Sequence, residues 1–517
     1  MPEYLSPGVY IEEVYTGPRP IEGVGTAMAA FVGFAPAGPA NKPQLITNWT
    51  QYVDMFGAAD ASGMRNPHMP GAYLSHSVYG YFMNGGSRCY VTRVAPPSTN
   101  GAAPKAQPLQ LPSRASKATP SLTFTPKEGH SSDIHIDITP PTGEAPPEGS
   151  FSVRIKSGEV EEVFENVNLG KKGSPVAETI NQGSKLVAVA EATGTGSLID
   201  RAPELGSYTL QTTPAPMPVK VQSNDFVGNS SARTGLEGLE IADDVTMVCC
   251  PDLMSAYQAG AIDRDGVKAV HLAMIAHCER MADRMAILDP LPDLTPQEVK
   301  KWRESETNYD SKFAALYYPW IMVSGPDGKP MPVPPSGHMA GVWARNDSER
   351  GVHKAPANEV IRTALNPAAE ITKGEQDVLN PIGVNCIRSF AGRGVRVWGA
   401  RTLSSDPAWR YINVRRLFNY VEKSIENGTQ WVVFEPNDPG LWARVRRDVG
   451  AFMTNVWRDG MLFGLSPQEA FFVKCDAELN PPESRDLGRL VIEVGMAPVK
   501  PAEFVIFRFS QFSGGGA

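Results

Sequence analysis

Apolar residues along this chain fall into two rhythms, short unbroken runs and longer stretches in which they return every third or fourth position, and the two alternate over most of its length. Thr26 to Phe34 (TAMAAFVGF) is an apolar run closed by the turn-forming APAGP, which predicts a buried strand. Tyr73 to Met83 has helical spacing and stops at Asn84-Gly85-Gly86, and Cys89 to Val94 returns as a strand. Further on, Val245 to Cys250 predicts a strand, Asp263 to Asp283 a helix, Arg284 to Leu288 a strand ending at Asp289-Pro290, and Ala314 to Val323 another apolar strand. Towards the end, Val395 to Trp398 and Thr429 to Phe434 read as strands, with two long helices over Trp409 to Glu426 and Gly440 to Met461.

Between Pro96 and about Gly235 the rhythm changes. Pro, Ser, Thr and Gly rise, and alternating segments such as Ile134 to Ile138 and Phe151 to Lys156 appear between turn signals, as expected of an inserted β domain. The predicted fold class is therefore a multidomain α+β or α/β chain. An extended arm spans residues 1–25, an α/β core is built from 26–95 and 236–378, a β-rich insertion occupies 96–235, and a C-terminal domain runs from 379 to 517.

Both chain ends are strand-like. The arm carries Val9, Tyr10, Ile11, Glu12 and Val14 between Ser6-Pro7-Gly8 and Gly17-Pro18. At the other end, Val505, Phe507 and Phe509 alternate with Phe504 and Ile506, so both faces of that strand are apolar, just before a glycine tail. Left uncovered it would aggregate, so it pairs within its own domain or is donated to another chain.

Composition narrows the functional classes. The chain has 517 residues, 48 Gly and 46 Pro, enough for several cores. Its net charge of -8 provides no global attraction to nucleic acid or to an anionic membrane surface. The N-terminus lacks a basic segment followed by an apolar core, and no run of eighteen apolar residues occurs, so neither a signal peptide nor a membrane span is expected. Cys89, Cys249, Cys250, Cys278, Cys386 and Cys475 are scattered without metal-finger or redox spacing and read as reduced, buried thiols of a protein made in the cytoplasm.

Candidate chemistry is thin. Ser336, His338 and Asp347 include nucleophile, base and acid types, but no Gly-x-Ser-x-Gly elbow surrounds the serine. His130, Asp133, His135 and Asp137 offer metal-ligand types on what reads more simply as an alternating surface strand. Gly194-x-Gly196 lacks the third glycine of a dinucleotide loop and there is no P-loop, so no cofactor and no metal are expected. Trp320, Trp343, Trp398, Trp409, Trp431 and Trp457 sit in apolar segments and are expected to pack in cores rather than to bind carbohydrate. Asn385, Arg388, Arg393 and Arg401 surround the turn at Gly392 and Gly394, where arginine pairing to carboxylates such as Glu370 or Asp406 would brace the loop.

Several long segments, in order, resemble contractile tail sheath proteins. They are SPGVYIEEV from Ser6, TNWTQYVDMFG from Thr47, YGYFMNGGSRCYVTRV from Tyr79, AALYYPW from Ala314, PPSGHMAGVWARNDSERGVHKAPANE from Pro334, LNPIGVNCIRSFAGRGVRVWGARTL from Leu379, FNYVEKSIENGTQWVVFEPND from Phe418, EAFFVKCD from Glu469 and VGMAPVKPAEFVIF from Val494. The resemblance covers residues 1 to about 95 and 236 to 517. RPIEGVGTA from Arg19, with the segment from Thr47, is more similar to sheaths of extracellular injection particles than to those of phages.

The resemblance implies a non-enzymatic subunit made and assembled in the bacterial cytoplasm. It polymerises with itself in stacked rings around an inner tube protein and contracts to drive that tube outward, with baseplate and terminal cap proteins as further partners. It implies that the β insertion lies on the outside, and that Val9, Tyr10, Ile11, Glu12 and Val14, with Phe504, Val505, Ile506, Phe507 and Phe509, complete sheets in neighbouring subunits. Gly17-Pro18 and the stretch Gly23 to Gly25 would flank the first arm as flexible links. It also places the C-terminal region innermost, where Arg444, Arg446 and Arg447, with Arg415 and Arg416, would face acidic groups on the tube; the competing reading is a solvated helix face paired to Asp448 or Glu426. Two other classes remain in view, an adhesion or carbohydrate-binding protein acting through the insertion and an α/β hydrolase built on Ser336 and His338.

Overall fold

The computed structural model describes residues 20–59, 64–95, 108–114, 120–127, 134–143, 147, 149–157, 160–170, 173–192, 197–210 and 221–508. Val9, Tyr10, Ile11, Glu12, Val14 and Phe509 lie outside the described residues, as do His130, Asp133, Gly194 and Gly196.

Two compact units emerge. The larger holds residues 26–350 and 355–412, and the smaller holds 351–354 and 413 onward together with the stretch up to Gly25. The larger unit is organised by an eight-stranded sheet in the order Gln44–Ile46, Cys89–Arg93, Ala29–Gly33, Met247–Cys249, Met285–Leu288, Ala314–Tyr318, Val384–Phe390, Gly394–Val397. The six inner strands run parallel, and one antiparallel strand closes each edge. Helices Leu74–Asn84, Arg264–Met281 and Ser336–Arg350 belong to the same unit. Its central strands are unbroken apolar runs because helical crossovers leave no solvent face, and Ala29–Gly33, Met285–Leu288 and Ala314–Tyr318 are buried at every position.

The Ala314 to Val323 run is not one strand. Pro319 has no N–H to continue the ladder, and Ile321–Ser324 pairs instead with Pro330–Val333 in a separate sheet. The strand Val384–Phe390 joins the large sheet beside Ala314–Tyr318, so the division between units falls at residue 412 rather than at 379.

Within the larger unit the insertion has its own core. A four-stranded antiparallel sheet (Val160–Val167, Phe151–Ser157, Ile134–Thr139, Gly206–Leu210) and a three-stranded one (Val187–Glu191, Pro120–Pro126, Leu109–Pro112) bury Phe124, Ile136, Phe151, Val153, Ile155 and Val187. The insertion ends before the expected residue 235, since Val221 and Phe226 already pack in the core of the large sheet. Among the described residues no helix is long and apolar enough to cross a membrane.

Candidate functional site

The smaller unit is built on two helices. Ile412–Gly428 supplies Leu417 and Val421, and Pro439–Arg458 supplies Leu441, Val445, Val449, Phe452 and Val456, an i, i+4 stripe facing one core. Asp438 starts the second helix by accepting the Leu441 N–H at 2.7 Å, with Pro439 at the first helical position. The expected strand Thr429 to Phe434 is instead a 3-10 turn over Gln430–Val432, followed by Phe434 at φ 68. Its apolar residues satisfied the strand pattern, but its amides bond locally, Val432 to Thr429 and Glu435 to Val432.

Beside these helices lies a sheet of two strands, Phe471–Lys474 antiparallel to Glu493–Met496. Asn480 fixes the connection between them, accepting the Val491 N–H at 2.7 Å and donating to its carbonyl at 2.9 Å. The segment after the second helix runs alongside, with the Phe463 N–H donating to the Ala497 carbonyl at 2.8 Å. Phe471, Val473, Val494 and Met496 turn to the helical core. On the other face Phe472 lies over Gly495, where an added Cβ would collide with the ring.

From Val499 to Arg508 the chain has no regular structure. Phe504, Val505, Ile506 and Phe507 are 70–78% exposed. An isolated two-stranded sheet is marginal in water, and among the described residues no third strand pairs with either of its edges. The root of the N-terminal arm is held within the same unit: Ile21 enters the helical core, and the Val24 N–H donates to Ser424 Oγ at 3.1 Å. Gly23, expected as a flexible link, is a packing position, since any Cβ there would collide with the Tyr420 hydroxyl.

The five arginines do not form one surface. Arg415 and Arg416 are buried, contrary to the exposed face expected for them. Arg415 donates to Asn419 Oδ1 at 2.7 Å and to Glu422 Oε2 at 2.8 Å, while burial pulls its pKa below the usual guanidinium value. Arg444, Arg446 and Arg447 are exposed, and each has an intramolecular partner. Arg444 pairs with Glu435 at 3.2 Å and stacks on Trp431, Arg446 donates to the Cys475 carbonyl, and Arg447 pairs with Asp448 at 2.9 Å.

The chemically suggestive residues of the larger unit are structural in their contacts. Ser336 is fully buried, and its hydroxyl donates to Asp289 Oδ2 at 2.5 Å while its N–H donates to Oδ1 at 2.8 Å. Here the carboxylate caps the start of helix Ser336–Arg350. His338, two residues on, is buried 3.2 Å from Thr363 Oγ1, and burial pulls its pKa down to about 3, so it stays neutral. His135 faces Thr209 across its sheet at 3.2 Å.

Around the glycine turn the arginines reach amides and carbonyls. Arg388 donates to Gln376, Arg393 to Asn358 and Arg401 to the Asn380 carbonyl, whereas Asp406 accepts the Ala408 N–H. Asn385 donates to the carbonyls of Leu316 and Arg401 and accepts the Arg401 N–H, tying the strand to the loop. Trp320 and Trp343 are core residues, while Trp398, Trp409, Trp431 and Trp457 are half-buried. All six cysteines are free and buried.

Sequence reasoning missed Asp252. It comes after the strand Met247–Cys249, past Cys250 and Pro251, and it accepts N–H groups from Phe34 (2.5 Å), Tyr73 and Leu74 (3.2 Å) and the Ser255 hydroxyl (2.8 Å). The carboxyl ends of parallel strands are where open α/β sheets hold anionic ligands against helix N-termini. In this chain its own carboxylates occupy that position. Burial raises Asp252 to about 6 and Asp289 to about 7, against the hydrogen bonds that pull them down.

Comparison with known proteins points the same way. A sequence model of the phage tail sheath protein central domain matches residues 227–403, and one of the phage tail sheath C-terminal domain matches 404–512. The tail sheath protein of Vibrio phage KVP40 is 29% identical over 181 residues, 34% of this chain but only 26% of that protein. That of Burkholderia phage BcepMu is 22% identical over 96% of this chain and 94% of its own length. The helical sheath of the anti-feeding prophage in its contracted state shares the fold, with a TM-score of 0.60 at 24% identity over 98% of this chain and 99% of that one. With its central and C-terminal segments both matched, together more than half its length, the chain belongs to the phage tail sheath protein family.

Proposed function

We propose that the chain is the structural subunit of a contractile sheath, polymerising helically around an inner tube and driving it through a target envelope as the sheath shortens. The observation that carries this reading is the pairing, in one unit, of a two-stranded sheet with a chain end whose Phe504–Phe507 segment is apolar on both faces and exposed. That end is the donated strand, and the sheet is the acceptor in a neighbour, shared with the Val9–Val14 arm of another neighbour. Each ladder hydrogen bond contributes roughly 0.5–1.5 kcal/mol, so a handful plus the buried Phe and Ile side chains hold subunits together while weaker contacts exchange. A link that repeats without closing a ring produces a helix from one kind of chain.

In this reading the insertion faces outward and the C-terminal unit faces the tube. Arg444, Arg446 and Arg447 are the arginines left to meet acidic groups there, and Arg415 and Arg416 brace the helix beneath. Baseplate and cap proteins terminate the cylinder. The role is mechanical, without catalysis or cofactor, and assembly takes place in the bacterial cytoplasm.

Removal of residues 503–517 tests the reading. The truncated chain is expected to remain folded, with its unfolding midpoint unchanged, and to form no cylinders by electron microscopy. Normal cylinders from the truncated chain would overturn strand donation. Loss of the fold would show that the strand pairs at home.

A further inference from the structure

A strand added to the edge of the Phe471–Lys474 and Glu493–Met496 sheet gains cover on one face only, because one side of that sheet packs on the helical core and the other looks out. The incoming strand is apolar on both faces, with Val505 and Phe507 opposed to Phe504 and Ile506. Half of its apolar side chains would therefore remain in water unless the outer face is itself apolar.

The outer face carries large apolar residues where hydrophilic ones would be expected. Phe472 is 52% exposed on that side, lying flat enough over Gly495 that no other residue fits beneath it. Leu462 enters the core and bridges to Pro498, so strand alternation turns Phe463 to the same outer side, where it is 75% exposed. Leu465, past Gly464, is 94% exposed. Three exposed apolar side chains within and beside one small sheet form the sort of patch that marks an interaction surface.

We infer that Phe463, Leu465 and Phe472 form a second apolar wall that covers the outward face of the Phe504–Phe507 strand from another copy of this chain. The donated strand is thus held in a slot, its inward side chains on the helical core and its outward ones flanked by this wall, rather than laid on a bare edge. This deepens the strand-donation reading and rests on it. The match between a two-faced strand and a two-walled slot selects the C-terminal end as occupant.

Adjacent strand residues point to opposite faces, which yields a sharp test in the full-length chain. Chains carrying Phe472→Cys are mixed with chains carrying either Val505→Cys or Ile506→Cys, assembled and oxidised. One of the two pairs is expected to form an intermolecular disulfide and the other not, since only one of those positions meets the outer wall. Disulfides from both pairs or from neither would overturn the slot.

As a second measurement, the double variant Phe463→Ser with Phe472→Ser should keep the unfolding midpoint of the unassembled chain, because both side chains are exposed, while raising the concentration needed for cylinder assembly roughly tenfold or more. Unchanged assembly would remove the wall but leave strand donation standing. Strand donation itself falls only if chains lacking 503–517 assemble normally, so the two failures are distinguishable.

Discussion

The two units solve the problem of a sheet edge in opposite ways. The eight-stranded sheet ends on each side in a short antiparallel strand, Gln44–Ile46 and Gly394–Val397, and settles its helix starts with its own buried carboxylates. Among the described residues the smaller unit has a sheet of two strands, with apolar side chains exposed on and beside them. The first arrangement is complete within one chain. The second rests on its helical core, and under the proposed strand donation it would gain a full sheet when another chain supplies strands. If strands are donated as proposed, rigidity and assembly are assigned to different units.

If the larger unit is complete in itself, breaking its internal ties should cost folding and not merely association. Asp252→Ala leaves the amides of Phe34, Tyr73 and Leu74 buried without that acceptor, and is expected to lower the unfolding free energy of the unassembled chain by roughly 3 kcal/mol or more, read by chemical denaturation. A loss below about 1 kcal/mol would blur the contrast between the units.

The second expectation concerns pH. Asp289 has a folded pKa of about 7, above the roughly 3.9 of an unfolded aspartate. Between these values the folded chain binds the extra proton. The group's contribution to stability is fully present below the unfolded pKa and is lost as pH rises through the folded one. Asp289→Asn keeps a carbonyl oxygen for the Ser336 N–H and removes the titration, so the decline in stability between about pH 4 and 7 should flatten, on the order of a few kcal/mol over that span. An unchanged slope would show that the carboxyl is not the source.

The smallest effect sits in the other unit. Phe434 holds a left-handed backbone, φ 68, with its ring fully in solvent, an arrangement costly for a bulky residue. Phe434→Asn should stabilise the unassembled chain by about 0.5 kcal/mol. If the same variant also weakens assembly, the strained tip belongs with the interface side of the comparison; if assembly is unaffected, it does not.

The larger unit was the more legible in sequence, for a physical reason. Parallel strands covered on both faces must be unbroken apolar runs, so Ala29–Gly33, Met247–Cys249 and Met285–Leu288 stood out at once. Thr429 to Phe434 failed because an apolar run specifies burial and not backbone shape, and local amide bonding decided in favour of a turn. Arg415 and Arg416 failed because adjacent arginines suggest solvent, while Asn419 and Glu422, one and two turns on, take up the charge of the first inside the fold. Asp252 and Asp289 carry a fainter signal: each is an aspartate beside a proline shortly after a strand, Asp289 directly after it and Asp252 past Cys250 and Pro251. The exposed end at Phe504–Phe507 was visible from alternation alone, but the wall of Phe463, Leu465 and Phe472 requires knowing which side of a two-stranded sheet faces the core.

If strands are donated as proposed, carrying both a two-faced strand and an acceptor sheet on one chain has a consequence for where growth can stop. Every subunit added would then consume one vacancy and create another, so a cylinder of any length would present unfilled sheets at one rim and uncovered strands at the other. Such rims would be chemically unlike. A protein sealing the first would have to contribute an apolar strand, and one sealing the second a sheet edge, so the two ends of the cylinder would call for caps of different folds and the direction of assembly would be written into each subunit before the first ring is made.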